Sequence, residues 1–184
     1  MKRSNVANYS VTEHLGNGRQ VMIRAVRPDD KDRIADVISQ MSSESLYRRT
    51  FSEKRELSAV ELKQVTEIDF EDVVALVAVM KEDGQDRIVG GGRYIRVGTS
   101  EEFLSAEVAF LVDDAHQGLG IGSLLFKHLF SIARASGISM LEAEVLPTNE
   151  AMLRVFARSG IPTARTVMRD SIRLVMQLSM ERER

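Results

Sequence analysis

The sequence predicts an α+β fold, an α/β/α sandwich in which a mixed, mostly antiparallel sheet carries helices on both faces. Three observations predict it. Three strand-like runs, Val73 to Met80, Arg87 to Val97 and Phe103 to Val112, follow one another across the polar turns Lys81 to Asp86 and Gly98 to Glu102, the spacing of an antiparallel meander. The third run then leads through a glycine-rich turn into an amphipathic helix over Ser123 to Ser136, and Ser139 to Leu146 returns as a strand, which makes a parallel crossover. Thr163 to Met168 and Ser171 to Ser179 close the chain as a hairpin around Arg169-Asp170.

The remaining elements follow in order. Residues 1–9 are expected as a flexible tail and residues 10–180 as one domain. Ser10 to Leu15 and Gln20 to Val26 flank Gly16-Asn-Gly18, a hairpin signal. Pro28-Asp-Asp30 opens a helix to about Gln40, with Ile34, Val37, Ile38 and Met41 on one face. Ser42 to Arg49 and Ser58 to Ile68 predict two more helices, the second with Ser58 as N-cap and Glu61 at the capping-box position. Gly137 ends the crossover helix, and Pro147-Thr-Asn149 leads into a last helix that stops near Gly160.

Composition narrows the function. With 184 residues, 43% of them hydrophobic, the chain suits one domain with a full core. A net charge of −2 without a Lys/Arg run argues against nucleic acid as the main partner. The N-terminus lacks an apolar signal core and no run approaches a membrane span, so a cytoplasmic location is expected. The absence of cysteine excludes disulfides and a cysteine acyl-enzyme, and no Gly-x-Ser-x-Gly offers a serine substitute. His14, His116 and His128 show no metal-ligand spacing, so no metal is expected.

Residues 117 to 122, Gln-Gly-Leu-Gly-Ile-Gly, carry the chemistry. Glycines between a strand and a helix let consecutive N–H groups converge on one anion, and the first-turn amides and the positive end of the helix add attraction. A phosphate-bearing ligand follows. No Gly-Lys-Ser/Thr is present, so the P-loop reading fails. A dinucleotide fingerprint is nearer, with Gly118, Gly120 and Ser123 in place and Glu142 or Glu144 about 20 residues on. Against it, four residues separate Val112 from Gln117 and only 62 residues follow Gly122, too few for the usual second half.

The pattern that remains is Gln/Arg-x-x-Gly-x-Gly/Ala, met by Gln117, Gly120 and Gly122, and here the chain resembles the GCN5-related N-acetyltransferase (GNAT) superfamily. The order of elements matches the acyl-CoA N-acyltransferase fold of that family. Within it, residues 18 to 178 most resemble the acetyltransferase domain of bacterial protein lysine acetyltransferases. The stretches that carry this are Ile23-Arg-Ala-Val-Arg-Pro-Asp-Asp30, Ser42-Ser-Glu-Ser-Leu-Tyr-Arg-Arg-Thr-Phe-Ser52, Ile68-Asp-Phe-Glu-Asp72 and Ala106-Glu-Val-Ala-Phe-Leu-Val112. The second is also explained as a basic amphipathic helix that packs Leu46 and Phe51 and leaves Arg48 and Arg49 in water.

The resemblance implies acetyl-CoA as co-substrate. Its pyrophosphate would lie on Gln117, Gly118, Leu119, Gly120, Ile121, Gly122 and Ser123, and its pantetheine arm would pair with the main chain of Phe110, Leu111 and Val112 where that strand splays from its neighbour. Asn149, at the family's later motif, would touch the cofactor, although an N-cap role explains it as well. Phe156 stands where many relatives that act on small amines carry a tyrosine acid, so either the thiolate leaves without that acid, or Tyr94 or another group protonates it. Gly90-Gly91-Gly92 permits close approach of substrate or marks a bulge.

Glu107 is the expected catalytic residue. Alternation puts Ala106, Val108 and Phe110 on one face and leaves this carboxylate on the other, partly buried, among Phe103, Ser105, Ala109 and Leu111. The matching glutamate in the lysine acetyltransferases is a general base; the alternative is a salt bridge to Arg93 or Arg96. A base is needed, because a lysine amine with a pKa near 10.4 is neutral in only about one molecule in 2,500 at pH 7, a cost of roughly 4.6 kcal/mol. Partial burial would make the carboxylate a stronger base.

The expected function is direct transfer of acetyl from acetyl-CoA to a primary amine, first of all a protein lysine. Asp69, Glu71, Asp72, Asp113 and Asp114 would steer a cationic amine to the mouth, and would suit a polyamine or aminoglycoside equally. A non-catalytic acyl-CoA-binding regulatory module is the alternative from another class.

Overall fold

A computed structural model describes residues 3–50, 56–97 and 104–178. Its eight strands form one sheet in the order β1-β2-β3-β4-β5-β6-β8-β7. These are β1 (Ser10–His14), β2 (Gln20–Ala25), β3 (Val73–Glu82), β4 (Gln85–Val97), β5 (Ser105–Val112), β6 (Met140–Val145), β7 (Thr163–Val167) and β8 (Ile172–Gln177). Every pairing is antiparallel except β5 with β6, as a meander followed by a right-sized crossover requires. The helices are α1 (Arg3–Ala7), α2 (Lys31–Gln40), α3 (Ser43–Thr50), α4 (Ala59–Thr66), α5 (Ile121–Ala135) and α6 (Glu150–Arg158).

Two cores follow from the alternation of the strands. On one face Val74, Leu76, Tyr94, Val108, Phe110 and Leu141 pack under α5 and α6, with Phe126, Leu129 and Phe156. On the other, Ala75, Val77, Val79 and Ile88 pack against Val37 of α2, Met41 just after it and Leu46 of α3. Ser58 caps α4 through the expected capping box with Glu61. Asp30, wholly buried before α2, accepts two hydrogen bonds from Arg24 of β2, both 2.7 Å, and one from the Arg27 N–H at 2.8 Å. Burial pushes the Asp30 carboxyl up, but these partners outweigh it and hold its pKa below the ordinary value. The pair ties α2 to the sheet.

Three expectations need correction. The tail is not loose: residues 3–7 form a helical turn, Val6 is 1% exposed in the core, and Tyr9 packs beside it. Tyr9 and Glu13 hold the two ring nitrogens of His128 on α5 at 2.5 and 3.0 Å. Six polar or small residues in nine hid one deeply buried valine. The turn between β3 and β4 is also tighter than Lys81 to Asp86, because Asp83 and Gly84 take positive φ (49° and 79°) and extend the hairpin as a two-residue turn. The bulge lies at Val89, beside the glycine triplet: Val79 pairs with Ile88 and Ala78 with Gly90.

The expectations for Phe51, Ser52, Phe103, the turn 98–102 and residues 179–180 lie outside the described residues, as do the side chains of Arg48 and Arg49. Among the described residues no helix is long and apolar enough to cross a membrane.

Candidate active site

The site grows from the C-terminal end of β5. Asp113 turns the chain inward and is 4% exposed, its carboxylate 2.9 Å from Nδ1 of buried His116. The other ring nitrogen of His116 lies 2.8 Å from Glu82 on β3. The His116 hydrogen bond is the largest of the contacts that lower the pKa of Glu82. Next, the Gln117 amide donates to the Val112 carbonyl (3.3 Å), to Asp114 (2.9 Å) and to Ser45 Oγ on α3 (3.2 Å). Asp114 also accepts from the Ser42 N–H at 2.8 Å and from the Ser45 hydroxyl. Gln117 therefore organises the loop and clamps it to α3.

Gly118 and Gly120 then take φ of 77° and 90°, a conformation other residues adopt only with strain, and Gly120 caps α5. The first turn-closing donor is Leu124 N–H to the Gly120 carbonyl, 3.1 Å. The N–H groups of Gly120, Ile121, Gly122 and Ser123 thus precede the helical ladder. They open on a cavity of about 210 Å³ lined also by Gln117, Gly118, Val112 and Asn149. Leu119 does not line it; its side chain packs on the core instead. Asn149 both borders the cavity and caps α6, accepting from the Met152 N–H at 3.1 Å.

Beyond the cavity runs a slot. β5 pairs with β6 only at Ser105, Ala106 and Glu107, whose partners are Met140, Leu141 and Glu142. Past that point β6 keeps only β8, and the strands part as the expected splay requires. A hollow of about 20 Å³ between Phe110, Val145, Met152 and Phe156 marks the gap. The Asp113 N–H bonds the Val89 carbonyl at 3.0 Å, so by alternation the main-chain groups of Val108, Phe110 and Val112 face the slot. Those of Leu111 face β4, which corrects its expected backbone role; its side chain still borders the cavity.

Glu107 sits at the fork, the last β5 residue paired to β6. The partial burial expected of it is absent: the side chain is exposed, on the α2 and α4 side of the sheet. No salt bridge to Arg93 or Arg96 forms. Glu107 lies opposite Ile95, and Arg96 pairs with Asp72 at 3.7 Å. Among the described residues Glu107 has no ion-pair partner, while neighbouring Glu142 is neutralised by Arg173.

Tyr94 is no candidate for the acid. It is 0% exposed in the core under α5, where burial, the largest influence, raises its pKa, and its hydroxyl makes no hydrogen bond of normal geometry. Phe156 is 3% exposed and packs on Phe110 and Phe126. The steering acids are also reassigned. Asp113 and Asp114 are engaged inside the loop, and Asp69 accepts the N–H groups of Glu71, Asp72 and Val73 at 2.8 to 3.0 Å, fixing Phe70 at φ 58°. Small acids at turns serve the backbone first.

Sequence reasoning missed Met41, Ser45, Arg154 and Arg158, which also line the cavity. Arg154 and Arg158, spaced i and i+4 on α6, were the legible signal. Arg154 pairs with Glu150 at 3.2 Å; Arg158 is exposed and unpaired among the described residues. Among the described residues, free amides, an unpaired cation, an open strand edge and a free carboxylate at its far end suit an elongated ligand with a diphosphate and an extended arm.

Comparison with known proteins agrees. The family described as "Acetyltransferase (GNAT) family" matches residues 42–161. "Acetyltransferase PA5475" of Pseudomonas aeruginosa is 35% identical over 140 residues, 76% of this chain and 74% of that protein. "Acetyltransferase Pat" of Mycolicibacterium smegmatis is 36% identical over 143 residues, 78% of this chain but only 41% of its own length. Among solved structures, the GNAT domain of S. lividans PAT superposes with a TM-score of 0.82 at 36% identity, covering 92% of this chain and 97% of that one.

Proposed function

For a chain that belongs to the acetyltransferase (GNAT) family and is an acetyl-CoA-dependent N-acetyltransferase, we propose that the acceptor is a protein lysine side chain and that Glu107 is its general base. The observation that carries this is the position of Glu107: a carboxylate without an ion-pair partner among the described residues, at the fork where the slot between β5 and β6 begins. Similarity to Pat and to the GNAT domain of S. lividans PAT favours the lysine reading, and the location we assign is cytoplasmic.

Acetyl-CoA supplies the acetyl group as an activated thioester. The amides of Gly120 to Ser123 hold its diphosphate, with Gly118 and Gly120 letting the backbone approach and Gln117 keeping the loop in shape. Val108, Phe110 and Val112 bind the pantetheine arm as an added strand, and one of their N–H groups polarises the thioester oxygen. Asn149 borders the arm while capping α6. Glu107, directly or through one water, takes the proton that the lysine ammonium must lose before its nitrogen attacks. Phe156 has no proton to give, so the thiolate leaves without help from that position.

The test is turnover on lysine-containing peptides against polyamines and aminoglycosides, followed by CoA release. The reading expects kcat/KM for peptides to exceed that for the small amines by at least about tenfold. Equal or higher values for a polyamine contradict it.

A further inference from the structure

The face that carries Glu107 holds a second cavity, of about 270 Å³, on the far side of β5 from α5. Its floor is hollow where small residues interrupt the rows across three strands. Ala75, opposite Arg93, and Ala109, also opposite Arg93, make one row; Val77, Gly91 and Leu111 make the next. Gly91 matters most, since a Cβ there would point into this space, 3.3 Å from the Leu76 carbonyl oxygen and 4.0 Å from Val77. Val37 and Ile38 of α2 form the roof. The lining is apolar with one exception.

That exception is Arg93. It lines the cavity, is partly buried, and has no hydrogen-bond or ion-pair partner among the described residues. Glu107 is its diagonal neighbour on the same face, one register step away, yet the two do not pair. A guanidinium left unpaired beside apolar walls loses hydration without compensation, and a bound carboxylate restores it through two parallel hydrogen bonds.

From one end to the other this face therefore presents a carboxylate and a guanidinium without ion-pair partners among the described residues, and an apolar pocket smaller than the roughly 300 Å³ at which drug-sized sites begin. We propose that the site also acetylates the α-amine of free amino acids with apolar side chains: the amine at Glu107, the α-carboxylate on Arg93, and the side chain in the cavity beneath α2. Amine and carboxylate of an α-amino acid sit two bonds apart, as neighbouring positions on the face require. This rests on the reading of Glu107 as base, because the side from which the base works is the side from which the amine enters. The α-ammonium gives one proton to Glu107, the neutral amine forms the new N–C bond to the acetyl carbon, the C–S bond breaks, and the second N–H proton goes to the departing sulfur, so that CoA leaves as the thiol.

Two measurements on the whole chain test it. In the first, L-leucine is titrated calorimetrically into protein saturated with CoA. Saturable binding is expected, weakened at least about tenfold for L-leucinamide, which lacks the carboxylate, and for Arg93→Gln, with Arg93→Lys in between. An unchanged thermal shift with CoA verifies that each variant is folded. In the second, N-acetyl-leucine is sought by mass spectrometry after incubation with acetyl-CoA, beside a lysine peptide as control. Its formation, lost for leucinamide and in Arg93→Gln, supports the proposal. No leucine binding, equal binding of leucinamide, or bound leucine left unacetylated while the peptide is acetylated overturns it. Leucine that binds while neither acceptor is acetylated overturns the transfer and faults the Glu107 reading with it.

Discussion

Glu107 faces Ile95 across β4 and Glu142 across β6, and it is the last residue at which β5 touches β6. A strand edge that loses its partner in mid-sheet exposes main-chain donors in alternation. Cofactor binding is therefore expected to slow hydrogen exchange at Val108, Phe110 and Val112, whose groups face the slot, and to leave Leu111 nearly unchanged. Protection confined to the loop 117–123 would contradict the added-strand role.

The loop itself is open to a ligand-linked stability test. CoA at a hundredfold excess over its dissociation constant should stabilise the fold by about 2.7 kcal/mol. Gly120→Val strains a position at φ 90°, and Gly122→Val sets branched methyls beside the cradle amides, where a Cβ alone would make ordinary contact with Val155 and Val112 at 3.6 and 3.9 Å. Both should lose most of the CoA-induced rise in Tm. Retention of the full shift in both would remove the amides of α5 from the phosphate site.

Arg158 is exposed on the cavity rim with no partner among the described residues, so its charge acts through solvent. Arg158→Glu should weaken CoA about tenfold at low salt, and the deficit should shrink as ionic strength rises and screening shortens its reach. A salt-independent deficit would point to lost packing instead.

Asp30 supplies a stability prediction with a defined sign. Its folded-state pKa lies below the unfolded value of about 3.9, so its contribution is complete above that value and disappears as pH falls through the folded one. Asp30→Asn leaves Arg24, 2% exposed, without its counter-charge, and should cost about 3–5 kcal/mol near neutral pH. Denaturant melts should then show the parent, but not the variant, losing this increment on acidification. Equal stability at pH 7 would refute the assignment.

Elements with strong local grammar were legible in the sequence. Asn17-Gly18, the Ser58 and Glu61 box, Asn149 and the glycine loop each specify backbone geometry within a few residues, and the structure keeps all of them. What escaped depends on distant partners. Val6 is buried in a core shared with α5, 115 or more residues on, and Tyr9 of the same segment bonds His128 of α5. The fork at Glu107 depends on where β6 leaves β5, while β6 stays paired with β8 from Met140 to Val145. Asp113 and Asp114 resemble steering charges in sequence, whereas His116 and Gln117 consume them in space. In the sequence Arg93 stands out only as a partner for Glu107, because alternation gives the face of a side chain and not the cavity beside it.

The most direct test of the account is Glu107→Gln assayed with acetyl-CoA and a lysine peptide across pH. Cofactor affinity and Tm should stay near the parent values, since Glu107 is exposed and outside the phosphate cavity. Turnover near pH 7 should fall by about 10²- to 10⁴-fold, the range for a lost general base, and the gap should narrow as pH nears the amine's own pKa. A folded variant with parental turnover at pH 7 would contradict the role of Glu107.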